Sequence, residues 1–314
     1  MAPKTATKTI KKQPEYSFYK HQTFHIRDVW LHKGIKILNR DPRSLSPSSN
    51  SHHELGIGKN MLDALRYWMQ ATGLAEPDKE IKTSPTPLIT TRLANLILDN
   101  DPYFEDSVSL WLVHIELASN RKLATMWYWL FNEYGVRDFN NERVANSLEE
   151  DNQGGVPLRV DYMSADFSCF LRTYLPSSDR NGLSSNEMEC PLVSLGLVRP
   201  SGTEGMFRFS VGNKKDMDKV VFAYTLYKFY ETQKLKSQTL SLEDIRYSPF
   251  SPGRLLCLDN RSISERLEEL QSSSDNLAEV NRTAGVNSVF LNEKINALDI
   301  VEKYYKSYEV PTNG

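Results

Sequence analysis

Four carboxylates fall within eight residues of one another: Asp99, Asp101, Glu105 and Asp106, set around Pro102-Tyr103-Phe104. Hard divalent cations bind through several carboxylate oxygens, and phosphodiester cleavage with one or two metal ions uses such ligands. The spacing offers Asp101 and Glu105 as catalytic groups, with Asp101, Glu105 and Asp106 as ligands for Mg2+ or another divalent cation. The same residues also suit ordinary loop chemistry. Asp101 fits a turn, and Asp106 or Ser107 fits the N-cap of the next helix. Both readings stand at this level.

A second constellation occupies residues 54–74, ELGIGKNMLDALRYWMQATGL. A Gly56-Ile57-Gly58 turn leads into a run without Gly or Pro until Gly73. Leu62, Leu65 and Met69 repeat at helical spacing with Met61 and Trp68 beside them, which predicts one apolar face. Lys59, Asn60, Asp63, Arg66, Tyr67 and Gln70 are left for the outer face. Such a helix could read DNA as the second helix of a helix-turn-helix, or could be an ordinary core-facing helix. In the DNA-reading case Lys59, Asn60, Arg66, Tyr67 and Gln70 are the contact residues, and the partner is double-stranded DNA. Residues 74–81 then read as two short strands around Pro77-Asp78, where a wing would sit.

Other chemistry is thin. Gly56-Ile57-Gly58-Lys59 lacks the leading glycine spacing and the Ser/Thr of a phosphate-binding loop. His21 and His25 stand at i, i+4 with neither a zincin glutamate nor a cysteine partner. Serine-hydrolase and kinase signatures are absent. Pro77-Asp78 followed by Glu80-Ile81-Lys82 mimics a nuclease motif, but its carboxylates are packed too tightly to come from separate elements.

Charge is distributed unevenly. Residues 1–75 hold 12 Lys/Arg against 5 Asp/Glu, and the remainder holds 26 against 35. A basic first quarter on an otherwise acidic chain points to an anionic partner. Three dispersed cysteines, Cys169, Cys190 and Cys257, argue for a reduced cytoplasmic setting and against a disulfide scaffold or zinc site. No apolar run approaches the ~20 residues of a membrane span, and the first residues lack a signal-peptide core.

The elements that must position these groups are mostly helical. The patterning predicts helices over 24–39, 91–98, two between 107 and 134 broken near Ser119-Asn120, 139–150, 163–175, 218–231, 263–270 and 295–305. Ser262 and Glu265 form a capping-box signal for the helix over 263–270. Short strands are expected at 206–210, 254–258 and 289–291. The aromatics Trp111, Trp127, Tyr128, Trp129, Phe131 and Tyr134 are spaced as core residues, with a base-stacking platform as the alternative. The fold class is mainly α: a winged helix-turn-helix N-terminal domain, then helical domains with a few short β-hairpins. The divisions are a basic disordered tail over 1–20, the winged helix over 21–100, an aromatic-rich helical domain over 101–235, and a C-terminal α-rich domain over 236–314.

Several blocks carry a family likeness: His21-Gln22-Thr23-Phe24 with Arg27 and Trp30, and Gly58-Lys59-Asn60-Met61 with Arg66-Tyr67-Trp68. Further along are Asp101-Pro102-Tyr103-Phe104-Glu105-Asp106, Trp127-Tyr128-Trp129, Cys190-Pro191-Leu192 and Ser251-Pro252-Gly253-Arg254. Through nearly its whole length the chain resembles a bacterial family filed as a domain of unknown function, whose members accompany DNA phosphorothioation genes. The best-described type is the SspB-like DNA-nicking component of single-strand modification systems. The resemblance implies DNA nicking for sulfur incorporation within a defence system. It also implies work with a sulfur-transfer enzyme of the ATP-pyrophosphatase type, a partner ATPase and a cysteine desulfurase. It carries over no catalytic residue. A non-catalytic DNA-recognition subunit and a transcription regulator are the alternative functions.

Overall fold

The computed structural model describes residues 16–152, 155–180, 188–233, 239–283 and 286–307. The basic tail expected at the N-terminus lies outside these residues over 1–15. The chain is mainly α, as its patterning predicts. Its first helix, α1 (Trp30–Arg40), starts later than the apolar spacing suggests. Val29 ahead of it takes a left-handed conformation, and the Phe24 carbonyl accepts a 2.9 Å hydrogen bond from the Trp68 indole. That backbone is held by a tertiary contact and is not in the helical ladder.

Next come α2 (Ser51–Leu55) and α3 (Lys59–Ala71), separated by Gly56 in the left-handed region. A Cβ on Gly34 would sit 2.4 Å from the Met69 sulfur, so the glycine leaves room for that side chain where α1 packs on α3. The following hairpin pairs β1 (Ala75–Pro77) with β2 (Leu88–Thr90), antiparallel. The expected strand around Glu80-Ile81 is therefore corrected: the second strand lies farther on, across a wide loop. Thr91 caps α4 (Arg92–Asn100) by accepting from the Ala94 amide.

The centre is built from α5 (Ser107–Ser119) and α6 (Thr125–Asn132), which pack against each other. The aromatics of this stretch are core. Trp127 and Phe131 are buried, and Trp127 stands edge-on to Trp68 at 5.4 Å. Next are β3 (Asp138–Phe139), α7 (Asn141–Asp151) and α8 (Val160–Tyr174). A 3-10 turn at Pro191–Leu195 precedes β4 (Val198–Pro200) and β5 (Phe207–Phe209). These strands form a three-stranded antiparallel sheet in the order β3-β5-β4.

Helix α9 (Lys219–Gln233) is buried on nearly every side, which fits its unbroken apolar composition. β6 (Leu240–Ser241) leads into α10 (Leu242–Tyr247) and α11 (Pro252–Leu255). The strand expected over 254–258 is thus overturned: Ser251 caps a short helix with Pro252 at its first turn, where a missing amide costs nothing. α12 (Asn260–Ser272) begins earlier than the Ser262/Glu265 signal, because Asp259 caps it by accepting from the Ser262 amide. The chain closes with β7 (Ala278–Thr283), β8 (Val286–Leu291) and α13 (Ala297–Ser307). A second three-stranded sheet runs β6-β8-β7. Buried apolar side chains form one cluster from Ile26 to Tyr305. Among the described residues no helix is long and apolar enough to cross a membrane.

Candidate anion-binding cleft

The outer face of α3 differs from its expected form. Lys59 and Asn60 are exposed at its start. Tyr67 is buried, its hydroxyl donating to the Leu123 carbonyl at 3.2 Å, so it cannot reach a groove and is corrected to a core residue. The Arg66 guanidinium is spent on the carbonyls of Leu45 and Thr86, the latter at 2.5 Å. Gln70 donates to the Arg66 carbonyl one turn back. The helix is rotated so that Tyr67 joins Trp68 in the core, because two aromatic rings outweigh one polar hydroxyl that finds a partner inside.

The acidic loop is also a local structure. Asp101 accepts from the amides of Glu105 at 2.9 Å and Asp106 at 3.1 Å, one per carboxylate oxygen. Asp106 caps α5 through the Val108 amide at 2.8 Å and accepts from the Tyr304 hydroxyl at 2.9 Å. Glu105 is exposed. The oxygens of Asp101 and Asp106 are directed at amides and a phenol, and Glu105 is exposed, so the three do not converge on a metal. Among the described residues no group of three His, Cys, Asp or Glu side chains could hold an ion.

The histidines separate likewise. His21 pairs with Asp166 at 3.0 Å, whereas His25 meets the Met188 carbonyl at 2.8 Å. Burial works against a charge on His21, yet Cys169 and Asp166 beside it prevail and push its imidazole up to about 10.

What the tertiary structure assembles, and the sequence pattern did not indicate, is a cleft of about 580 Å³ lined by five arginines. Arg137 precedes β3, Arg199 lies on β4, Arg208 on β5, Arg246 on α10 and Arg254 on α11. None of the lining residues is an aspartate or glutamate. Phe207 and Phe209 pack on the aromatic rings of Phe167 and Phe131, and Arg208 stands between them on the strand. On the central strand Arg208 stands opposite Asp138 on one side and Arg199 on the other. It forms an ion pair with Asp138 at 2.9 Å. Arg199 is left exposed, with no ion-pair partner among the described residues. Like charges directly opposite on paired strands destabilise a sheet, and here Asp138 offsets the Arg208 charge while Arg199 keeps its own.

A second like-charged pair faces the same space. A Cβ on Gly253 would lie 2.4 Å from the Arg246 carbonyl oxygen, so only glycine allows α11 to approach α10 this closely. That approach sets Arg254 beside Arg246. Burial, and then the Arg246 charge, draw the Arg254 guanidinium below its usual range. Arg254 is held by the carbonyls of Tyr247 at 3.1 Å and Tyr134 at 3.3 Å. Arg246 lies 5.1 Å from the Tyr247 ring centre, and its Nε is buried without a hydrogen-bond partner among the described residues.

Behind α11, the His114 imidazole bonds to the Leu255 carbonyl at 2.8 Å and to the Tyr174 hydroxyl at 2.8 Å. Because the carbonyl can only accept, Nε2 carries the proton and Nδ1 accepts from the phenol. Burial lowers this imidazole to about 4, so it is neutral. Cys257 borders the cleft but is no nucleophile: burial pushes its thiol up to about 11 despite Lys214, Arg246 and Arg254 nearby. A comparable hollow of about 610 Å³ beside Arg43 includes Asp41 and Glu54 in its wall and lacks this one-sided charge.

Comparison with known proteins bears on the fold. Two solved structures share it: a magnesium-ion-bound SspB crystal structure, with a TM-score of 0.83, 23% identity, and coverage of 96% of this chain and 91% of that one, and a second SspB crystal structure, with a TM-score of 0.82, 24% identity, and coverage of 96% and 92%. No curated protein matches the chain. The model of the family described as protein of unknown function (DUF4007) matches residues 18–305, and the chain belongs to that family.

Proposed function

We propose that this protein is a DNA-binding component of a phosphorothioation-based modification and defence system, and that the arginine cleft grips the phosphates of its substrate. The observation that carries the reading is the convergence of Arg137, Arg199, Arg208, Arg246 and Arg254 on one cleft whose lining contains no carboxylate. Guanidinium groups match phosphate oxygens in charge and in fork geometry, and phosphate contacts supply most of the affinity of a nucleic-acid binder. The fold shared with SspB supports the placement in such a system. On this reading the working partners are a sulfur-transfer enzyme of the ATP-pyrophosphatase type, a partner ATPase and a cysteine desulfurase. DNA nicking belongs to the same reading, with Mg2+ as the ion to test because one of the SspB structures holds it.

The order α2, Gly56 turn, α3, β1–β2 hairpin resembles a winged helix-turn-helix, and we take it as a second, weaker contact with duplex DNA. Its usable side chains are Lys59 and Asn60, since Tyr67 is buried and Arg66 is engaged.

Fluorescence anisotropy with labelled DNA across a salt series tests the proposal. Binding should weaken steeply with salt, because each neutralised phosphate releases condensed counterions. Absence of salt-dependent binding would overturn the proposal. Supercoiled-plasmid relaxation with and without Mg2+ tests the nicking part. A pull-down with the sulfur-transfer enzyme separates a modification component from a transcription regulator.

A further inference from the structure

The cleft is not lined by charge alone. Leu130, Phe131, Tyr134 and Phe209 form its floor, and Val136, Val211 and Tyr247 stand at its mouth. Those last three are all more than half exposed, among the largest exposures of any apolar side chain in the described structure. Duplex DNA presents phosphates and sugars on its outside and keeps its bases stacked within, so it has nothing to offer an apolar wall between arginines. A hollow of about 580 Å³ is of small-molecule size and cannot admit a double helix. Aromatic and apolar surface interleaved with guanidinium groups is the pattern that holds an unpaired strand, whose bases have free faces.

We infer that the arginine cleft takes a single-stranded segment of nucleic acid, with its phosphates on Arg199 and Arg246 and a base stacked on the Tyr247 ring. Tyr247 suits this role, since it is exposed and is already flanked by Arg246 at 5.1 Å. The Arg246 Nε, buried and unpartnered among the described residues, supplies a donor at the same place. This inference rests on the phosphate-binding reading above and adds the strandedness of the substrate.

The test uses the full chain, a labelled oligothymidine of about a dozen nucleotides, within the site sizes of single-strand binders, and a blunt duplex of similar length. Tyr247→Ala should weaken binding of the single strand by roughly 5- to 150-fold, the worth of one stacked base, and leave the duplex unchanged. Tyr247→Phe should behave like the parent, because the ring and not the hydroxyl is used. Melting curves confirm that both variants fold. If Tyr247→Ala changes neither ligand, or both equally, the strandedness inference fails while binding itself keeps the phosphate reading intact. If the parent binds neither ligand, the proposed function fails as well. Displacement of the oligothymidine by thymidine monophosphate at equal phosphate concentration would mark a small-ligand site and overturn the strand proposal.

Discussion

Around Asp101 the like charges are neighbours in sequence, whereas around Arg246 they arrive from five separate segments. That difference in origin decides what each cluster is free to do. Carboxylates a few residues apart meet the backbone first. Asp101 satisfies the amides of Glu105 and Asp106, and Asp106 caps α5, so the charges are consumed in making a turn and starting a helix. Burial raises the Asp101 carboxyl above its usual range even though Ser109 and the two amides pull it down. The arginines come together only once the β3-β5-β4 sheet and the α10–α11 corner are in place. Asp138 pairs with Arg208, and the charges of Glu133 and Asp259 reach Arg254 and Arg246 from outside the lining. A cluster that helps the local fold is spent, and one that opposes it is available to a ligand.

Four experiments test this contrast. The largest effect is expected from the double variant Arg199→Gln with Arg246→Gln, measured as affinity for single-stranded DNA against salt. Charge-assisted hydrogen bonds are worth about 1.5–3 kcal/mol each, so affinity should fall by roughly a hundredfold or more, and the salt slope should shrink by about two units. An unchanged slope would show that the cleft meets no phosphate.

Acid comes next. The folded His114 imidazole titrates at about 4, below the unfolded value, so its contribution is fully present above about 6.5 and is lost as pH falls toward 4. The expected loss is about 3 kcal/mol of stability by denaturant titration. Because His114 anchors Leu255 at the end of α11, amide exchange at α11 should rise with it, ahead of exchange in the acidic loop. Equal exchange in the two places would remove the distinction.

Gly253→Ala should cost about 1–3 kcal/mol, since its Cβ would meet backbone at 2.4 Å, and should also weaken DNA binding by separating Arg254 from Arg246. The smallest effect is expected at the acidic loop. Asp101→Ala should lose about 1–2 kcal/mol of stability, as for a cap, with DNA affinity and any Mg2+-dependent nicking unchanged. Loss of nicking in a variant that melts like the parent would restore the catalytic reading of Asp101.

Much of the fold was legible in the residues themselves because its signals are local. Helical spacing located α4 to α9, and Thr91 and Asp106 cap their helices through their own nearby amides. The Phe207-Arg208-Phe209 alternation located β5, and the family-like blocks brought out Gly253-Arg254 without giving them a role. Three features depended on distant partners and could not be read that way. Tyr67 turned inward because Leu123 offers its hydroxyl a carbonyl 56 residues away. The second strand of the first hairpin lay beyond the nearest turn, with its ends fixed by pairing with Ala75–Pro77. The arginine cleft left no trace in charge patterning, since its members are scattered singly through the acidic three-quarters of the chain. Periodicity and capping are written into neighbours, and so the sequence alone decides the long helices of the middle of the chain, from α4 to α9. Whether a charge is satisfied or left for a ligand depends on what the folded chain puts opposite it, and only the tertiary structure decides that.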